Sequence, residues 1–186
     1  TTYQLEEQTR LIWIFGCNAY RPEYIKELYD HFPPFRRAWE EVEKACNQEL
    51  EVSLSATMRE TPHTGNTDDE TLLGRLNVFA QHYALGIMWH CWGIWPMAFA
   101  GEGIGEYVVG CLSGVFSLQD ALQLVATKGE NASSCHYQPP KQTIVNLREG
   151  YKLSNERATE ASYWEEAFTT RTRKYSAVGT LFVSDH

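Results

Sequence analysis

The chain has 186 residues, 43% of them hydrophobic and 13% aromatic, enough apolar side chain for one globular domain with a real core. Its formal net charge is -8 and its isoelectric point is near 5.2, so it lacks the basic face a phosphate-backbone binder needs, and nucleic acid is not an expected partner. No apolar stretch is long enough to cross a bilayer, and the opening TTYQLEEQTR has neither the charge nor the apolar region of a signal peptide; no membrane partner and a cytoplasmic location are expected.

Five cysteines, Cys17, Cys46, Cys91, Cys111 and Cys135, are widely spaced and form no C-x-x-C pair. Reduced thiols account for them, and no disulfide framework, metal ion or cofactor is expected. The chain opens on threonine and stops at Asp185-His186, which reads as a segment of a longer protein.

In chain order, Leu11 to Phe15 is a continuous apolar run ending at Gly16, the pattern of a strand buried on both faces of a parallel sheet. Tyr24, Ile25, Leu28, Tyr29 and Phe32 then recur at helical spacing; Pro33-Pro34 breaks the pattern before it resumes over Phe35 to Val42. Residues 61 to 69 are polar and read as a loop. Leu72, Leu76, Phe79, Tyr83 and Ile87 define an amphipathic helix. His82 and His90 lie on or beside it without a carboxylate or thiolate at ligand spacing, and are assigned packing or surface roles.

The organising stretch runs from Trp89 to Gly129. An apolar run, Met97 to Ala100, meets Gly101, Gly103 and Gly105, after which a helical period begins. Strand, tight turn and helix in that order describe a nucleophile elbow, G-x-S-x-G, whose middle residue carries the reacting oxygen. Here the sequence is Gly101-Glu102-Gly103-Ile104-Gly105, so the nucleophile position holds Gly103 and no side chain there can attack a carbonyl. A dinucleotide cradle is a poor alternative: the spacing is G-x-G-x-G, and Glu102 would face the pyrophosphate.

The segment resembles the acyltransferase domain of polyketide and fatty acid synthases, the malonyl-CoA:ACP transacylase family, whose motif is G-H-S-x-G-E-Y followed by G-V-x-S-L-x-D-A-L. Gly101, Gly105, Glu106 and Tyr107 match, as do Gly114 to Leu122, the approach Trp92-Gly93-Ile94-Trp95-Pro96, and the distant Glu27-Leu28-Tyr29 and Phe32 to Ala38. The resemblance implies an α/β fold: a three-layer parallel sheet flanked by helices, the large hydrolase-like subdomain, with strands near Ile12–Phe15, Met97–Ala100, Thr143–Asn146 and Leu181–Val183.

It also implies losses. The family's G-Q-G-S-Q, whose first glutamine lies by the oxyanion hole, reads Gly16-Cys17-Asn18-Ala19-Tyr20, placing Cys17 there. Glu102 replaces the histidine before the serine; a carboxylate at the mouth would repel a malonyl group, whereas at a helix N-terminus it contributes about 0.3–1 kcal/mol. Lys128 stands where an arginine grips the malonyl carboxylate, keeping the charge without the planar fork, and is read as a solvated residue at a helix C-terminus. Pro139 to Asn146 resembles the stretch well beyond the small ferredoxin-like subdomain, which is therefore expected to be deleted, with a splice at 130–138 in one domain spanning 1–186. His136 is the remaining candidate base, although a surface-loop reading is preferred because it has no seryl partner to deprotonate.

Losing a seryl nucleophile costs on the order of a millionfold in turnover, and losing an oxyanion donor about a hundred- to a thousandfold. The resemblance thus implies a catalytically silent structural or adaptor domain of a polyketide synthase, itself a transferase. Its partners would be flanking synthase domains, such as the GNAT-like domain of a loading module and the acyl carrier protein. The competing expectation is an acyltransferase or hydrolase with rewired chemistry, using Cys17, Glu102 or His136.

Overall fold

A computed structural model describes residues 11–16, 22–55 and 71–168; the loop expected at 61–69, the strand expected at Leu181–Val183 and Cys17 lie outside the described residues. Strand β1 spans Ile12–Phe15. Helices α1, Pro22–His31, and α2, Pro33–Leu50, follow. Helix α3 spans Leu72–Cys91, strand β2 Ala98–Gly101, helix α4 Ile104–Leu112 and helix α5 Leu118–Thr127. Strands β3, Thr143–Asn146, and β4, Tyr151–Lys152, precede two short helices, α6 at Asn155–Ala158 and α7 at Ala161–Glu165.

Local chemistry sets these bounds. The Pro33-Pro34 break falls at a helix start, where a proline lacks an N–H that would go unused anyway. Thr71 Oγ1 accepts from the Gly74 N–H at 3.0 Å to open α3. Ser117 opens α5, accepting from the Asp120 N–H at 3.0 Å and donating to Asp120 Oδ2 at 2.8 Å, a reciprocal cap. At the other end of α5, the buried Arg75 donates to the carbonyls of Val125 and Ala126, each at 3.0 Å. These carbonyls would otherwise be orphans at the negative end of the helix dipole.

The sheet runs β1-β2-β3-β4. Strands β1, β2 and β3 are parallel, with Phe15 opposite Gly101 and Gly101 opposite Asn146, so their C-terminal ends finish level. Strand β4 returns antiparallel to β3. The strand expected at Met97–Ala100 is observed one residue later, at Ala98–Gly101, with the Met97 N–H donating to the Leu11 carbonyl at 2.9 Å just before it.

The expectation that β1 is buried on both faces is corrected. Trp13 and Phe15 are buried, but Ile14 between them is 52% exposed. Side chains alternate along a strand, and only one face of β1 meets the main core. That core joins Trp13, Phe15, Phe99 and Ile144 of the sheet to side chains of every described helix. A second cluster, Ala98, Ala100, Val145 and Leu147 with Ile12, contains no helical residue. Among the described residues, then, the helices gather on one face of the sheet.

Between α5 and β3 the chain is tied down residue by residue. Lys128 takes a left-handed conformation that ends α5, Ala132–Ser134 form one 3-10 turn, and the Tyr137 hydroxyl donates to the Ala132 carbonyl at 2.7 Å. The Gln138 N–H then reaches the Val115 carbonyl at 2.7 Å, and the Lys141 N–H the Ser113 carbonyl at 2.8 Å. This connection is therefore strapped against the turn that follows α4.

Candidate active site

The elbow is present as backbone. Strand β2 delivers the chain to Gly103 at φ 57° and ψ -120°, a conformation that non-glycine residues adopt only under strain and that active-site turns exploit. The Glu102 N–H donates to the Phe15 carbonyl at 2.9 Å, while the Gly105 and Glu106 N–H groups turn back to the carbonyls of Glu102 and Gly103, both at 3.0 Å. Those bonds fold the turn directly into α4.

The flanking glycines are demanded by packing. A Cβ on Gly101 would fall 2.4 Å from the Gly105 carbonyl oxygen, and one on Gly105 would fall 2.0 Å from the Phe15 carbonyl oxygen. All the atoms in the way are backbone or rigidly held by it. Two of the three motif glycines are thus required whatever stands between them.

Of the residues singled out by sequence, the structure brings Glu102 and Gly103 together at the elbow, both partly buried. Lys128 is exposed, at the C-terminal end of α5, with Nζ 5.4 Å from the centre of the Phe168 ring. His136 is exposed and lies two residues before Gln138, whose N–H is fixed to the carbonyl of Val115. Val115 follows the C-terminus of α4 and Gly103 precedes its N-terminus, and nine helical residues span about 13 Å. The structure therefore does not assemble His136 with the elbow.

His82 is buried against Phe15, their ring centres 5.8 Å apart, and burial lowers its pKa to about 4. His90 lies between the rings of Trp95, at 4.4 Å, and Trp13, at 4.8 Å. Both have the packing environments expected of them. Among the described residues Cys46, Cys91, Cys111 and Cys135 are free thiols, and no group of three His, Cys, Asp or Glu side chains could hold a metal ion.

Sequence reasoning missed the charge behind the elbow. Glu106, in the first turn of α4, and Arg148, two residues past the end of β3, have side chains only 5% exposed and meet at 3.1 Å. Arg148 also donates to the Tyr163 carbonyl at 3.1 Å and to Glu166 at 3.3 Å, and its guanidinium covers the Tyr163 ring at 4.4 Å. Burial raises the Glu106 carboxyl to about 7 despite the pull of Arg148. Beside them, Asn146 donates to Glu149 at 2.6 Å and accepts from the Arg148 N–H at 2.9 Å. Glu106 was visible only as part of a matched motif; nothing in the spacing of 42 residues announced its partner.

A strand, a tight turn and a helix at the C-terminal edge of a parallel sheet form the backbone frame of a nucleophile elbow, here with Gly103 at the nucleophile position. No family model matches the chain. It is 29% identical over 129 residues to the non-reducing polyketide synthase crz7 of Cladonia metacorallifera, a match covering 67% of this chain and 6% of that protein. It is 33% identical over 144 residues to the polyketide synthase GfsA of Streptomyces halstedii, covering 77% of this chain and 2% of that one. Among solved structures, the acyltransferase domain of SpnD superposes with a TM-score of 0.84 at 14% identity, over 96% of this chain and 64% of that one. The chain has the fold of polyketide synthase acyltransferase domains, as its motifs implied, and it spans a small fraction of the curated synthases it matches.

Proposed function

We propose that this chain is a non-catalytic acyltransferase-like domain of a modular polyketide synthase, acting in the cytoplasm as a structural adaptor for neighbouring catalytic or carrier domains. The observation that carries the reading is Gly103: the elbow keeps its backbone geometry, its glycine packing and its anchor to β1, while the one atom that would react is missing. Glu102 adds a carboxylate where an anionic acyl group would enter, and His136 is held at the opposite end of α4. The family's small subdomain is taken to be lost at 130–138. In support, the acyltransferase domain of SpnD is matched over 64% of its length by nearly all of this chain, and the 128–141 connection is closed by its own hydrogen bonds.

The direct test is to produce the chain with and without the domains beside it in its own polypeptide, a GNAT-like or carrier domain included, and to compare thermal midpoints and amide hydrogen exchange. An adaptor predicts a protected face on this chain and a higher midpoint for the neighbour. Unchanged exchange and midpoints in both would contradict the adaptor role.

A further inference from the structure

Residues 147–167 close over α4 through buried contacts. The Tyr107 hydroxyl donates to the Trp164 carbonyl at 3.1 Å, and the Trp164 ring meets Phe116 edge to face at 4.9 Å. Within the segment, the Trp164 indole N–H donates to the Ala158 carbonyl at 2.9 Å, which joins α6 and α7 into one unit. Its elements are short: β4 has 2 residues, α6 4 and α7 5. Helices of that length have little stability of their own, so the segment is held by what it touches.

The charged part of that attachment is incompletely satisfied. Glu106 Oε2 accepts from Arg148 at 3.1 Å, whereas Glu106 Oε1 and Arg148 Nε are buried without a hydrogen-bond partner among the described residues. The space beside Glu106, bounded by Gly101, Val109, Val145 and Trp164, has no volume for a water molecule that could supply one. An ionised carboxylate held there keeps one oxygen bare in a dry site, a cost that the neutral carboxyl largely escapes. The groups facing it are Arg148 from the turn after β3, Tyr163 from α7, Glu102 from the elbow and Tyr107 beside it on α4; Glu166 lies beyond Arg148, and Arg157 beyond the Tyr163 ring. Burial, the largest effect, and Glu102 favour the neutral form, while Arg148 and Tyr163 favour the ionised one.

We propose that Glu106 and Arg148 form a proton-operated latch: while Glu106 holds its proton, residues 147–167 stay closed on α4, and once it gives that proton to water the segment opens locally with the rest of the fold intact. Opening brings the carboxylate and the guanidinium into solvent, where water satisfies the groups left bare in the closed state, so the open state favours the ionised form. The closed state favours the protonated one, burial having raised the carboxyl from 4.5 to about 7. Closure is therefore strongest below pH 4.5 and weakens about tenfold for each pH unit up to about 7. Glu106 sits in the first turn of the helix that begins after Gly103, so the latch acts directly behind the elbow. It operates whether or not the chain serves as an adaptor.

Hydrogen exchange of the whole chain at pH 5 and pH 7, read as protection relative to each amide's intrinsic rate, tests the latch. The amides of Leu153, Ala158 and Tyr163, bonded to the carbonyls of Ile144, Ser154 and Glu160, are expected to lose about a hundredfold in protection between those values. Those of α3, where His82 shifts stability the other way, are expected to change by less than about tenfold. Glu106→Gln, which keeps the shape and never ionises, should remove the loss. A loss of the same size in α3, no loss at 147–167, or a loss that Glu106→Gln retains overturns the proposal. Should the glutamine variant fail to fold, the contrast between 147–167 and α3 in the unaltered chain decides alone.

Discussion

The two ends of α4 have been treated differently. At its N-terminus the elbow keeps Gly103 at φ 57° and Gly101 and Gly105 pressed against carbonyls, yet it carries no side chain at the nucleophile position. At its C-terminus the 128–141 connection is an ordinary surface strap, held by the carbonyls of Ser113 and Val115. The elbow's shape is fixed by sterics that serve the fold and does not depend on a side chain at position 103. The strap is held by those hydrogen bonds and by Ala132 and Tyr137 packed on the core.

The sharpest way to break that contrast is Gly105→Ala. A Cβ 2.0 Å from the Phe15 carbonyl oxygen must push β1 and α4 apart, and a loss of roughly 4 kcal/mol or more, or failure to fold, is expected. Next is Arg148→Ala, which strands the Glu106 carboxylate behind the elbow; removing one partner of a buried pair costs about 3–5 kcal/mol, read by denaturant unfolding at pH 8. The same loss from His136→Ala would contradict the strap's surface role, for which a change within about 0.5 kcal/mol is expected.

Acid stability separates the buried groups by sign. The folded-state pKa of His82 is about 4 against an ordinary 6.5, so the unfolded chain takes up its proton first. The stability this histidine contributes as a neutral group is full above pH 6.5 and falls by roughly 3 kcal/mol as pH drops to 4. Glu106 runs the other way: its pKa is raised from 4.5 to about 7, so its contribution is full below pH 4.5 and is lost as pH rises through 7. Thermal midpoints of the unaltered chain and a His82→Leu variant between pH 4 and 7 should show the acid loss only in the former. A more modest loss, about 1–2 kcal/mol, is expected of Gly103→Ala, which places a side chain at φ 57°.

Much of this was legible in the sequence because packing writes itself locally. The glycines of the elbow and the proline break before α2 both report geometry within a few residues. What escaped lies between distant segments. Ile14 reads as buried, yet only one side of β1 meets the helical core. Arg148 carried no local signal at all, and its side chain is 5% exposed against Glu106. His136 has the right residue type beside a candidate splice, and only the bonds at Gln138 and Lys141 place it at the wrong end of α4.

The central claim, a retained frame without its chemistry, is tested most directly by intact-mass spectrometry of the chain after incubation with malonyl-, methylmalonyl- and acetyl-CoA, alongside a Gly103→Ser variant. The account predicts an unmodified mass for the natural chain with all three. An acyl adduct on it, whether at Cys17, which lies outside the described residues, or at any other residue, would contradict the account and make this an enzyme of different mechanism.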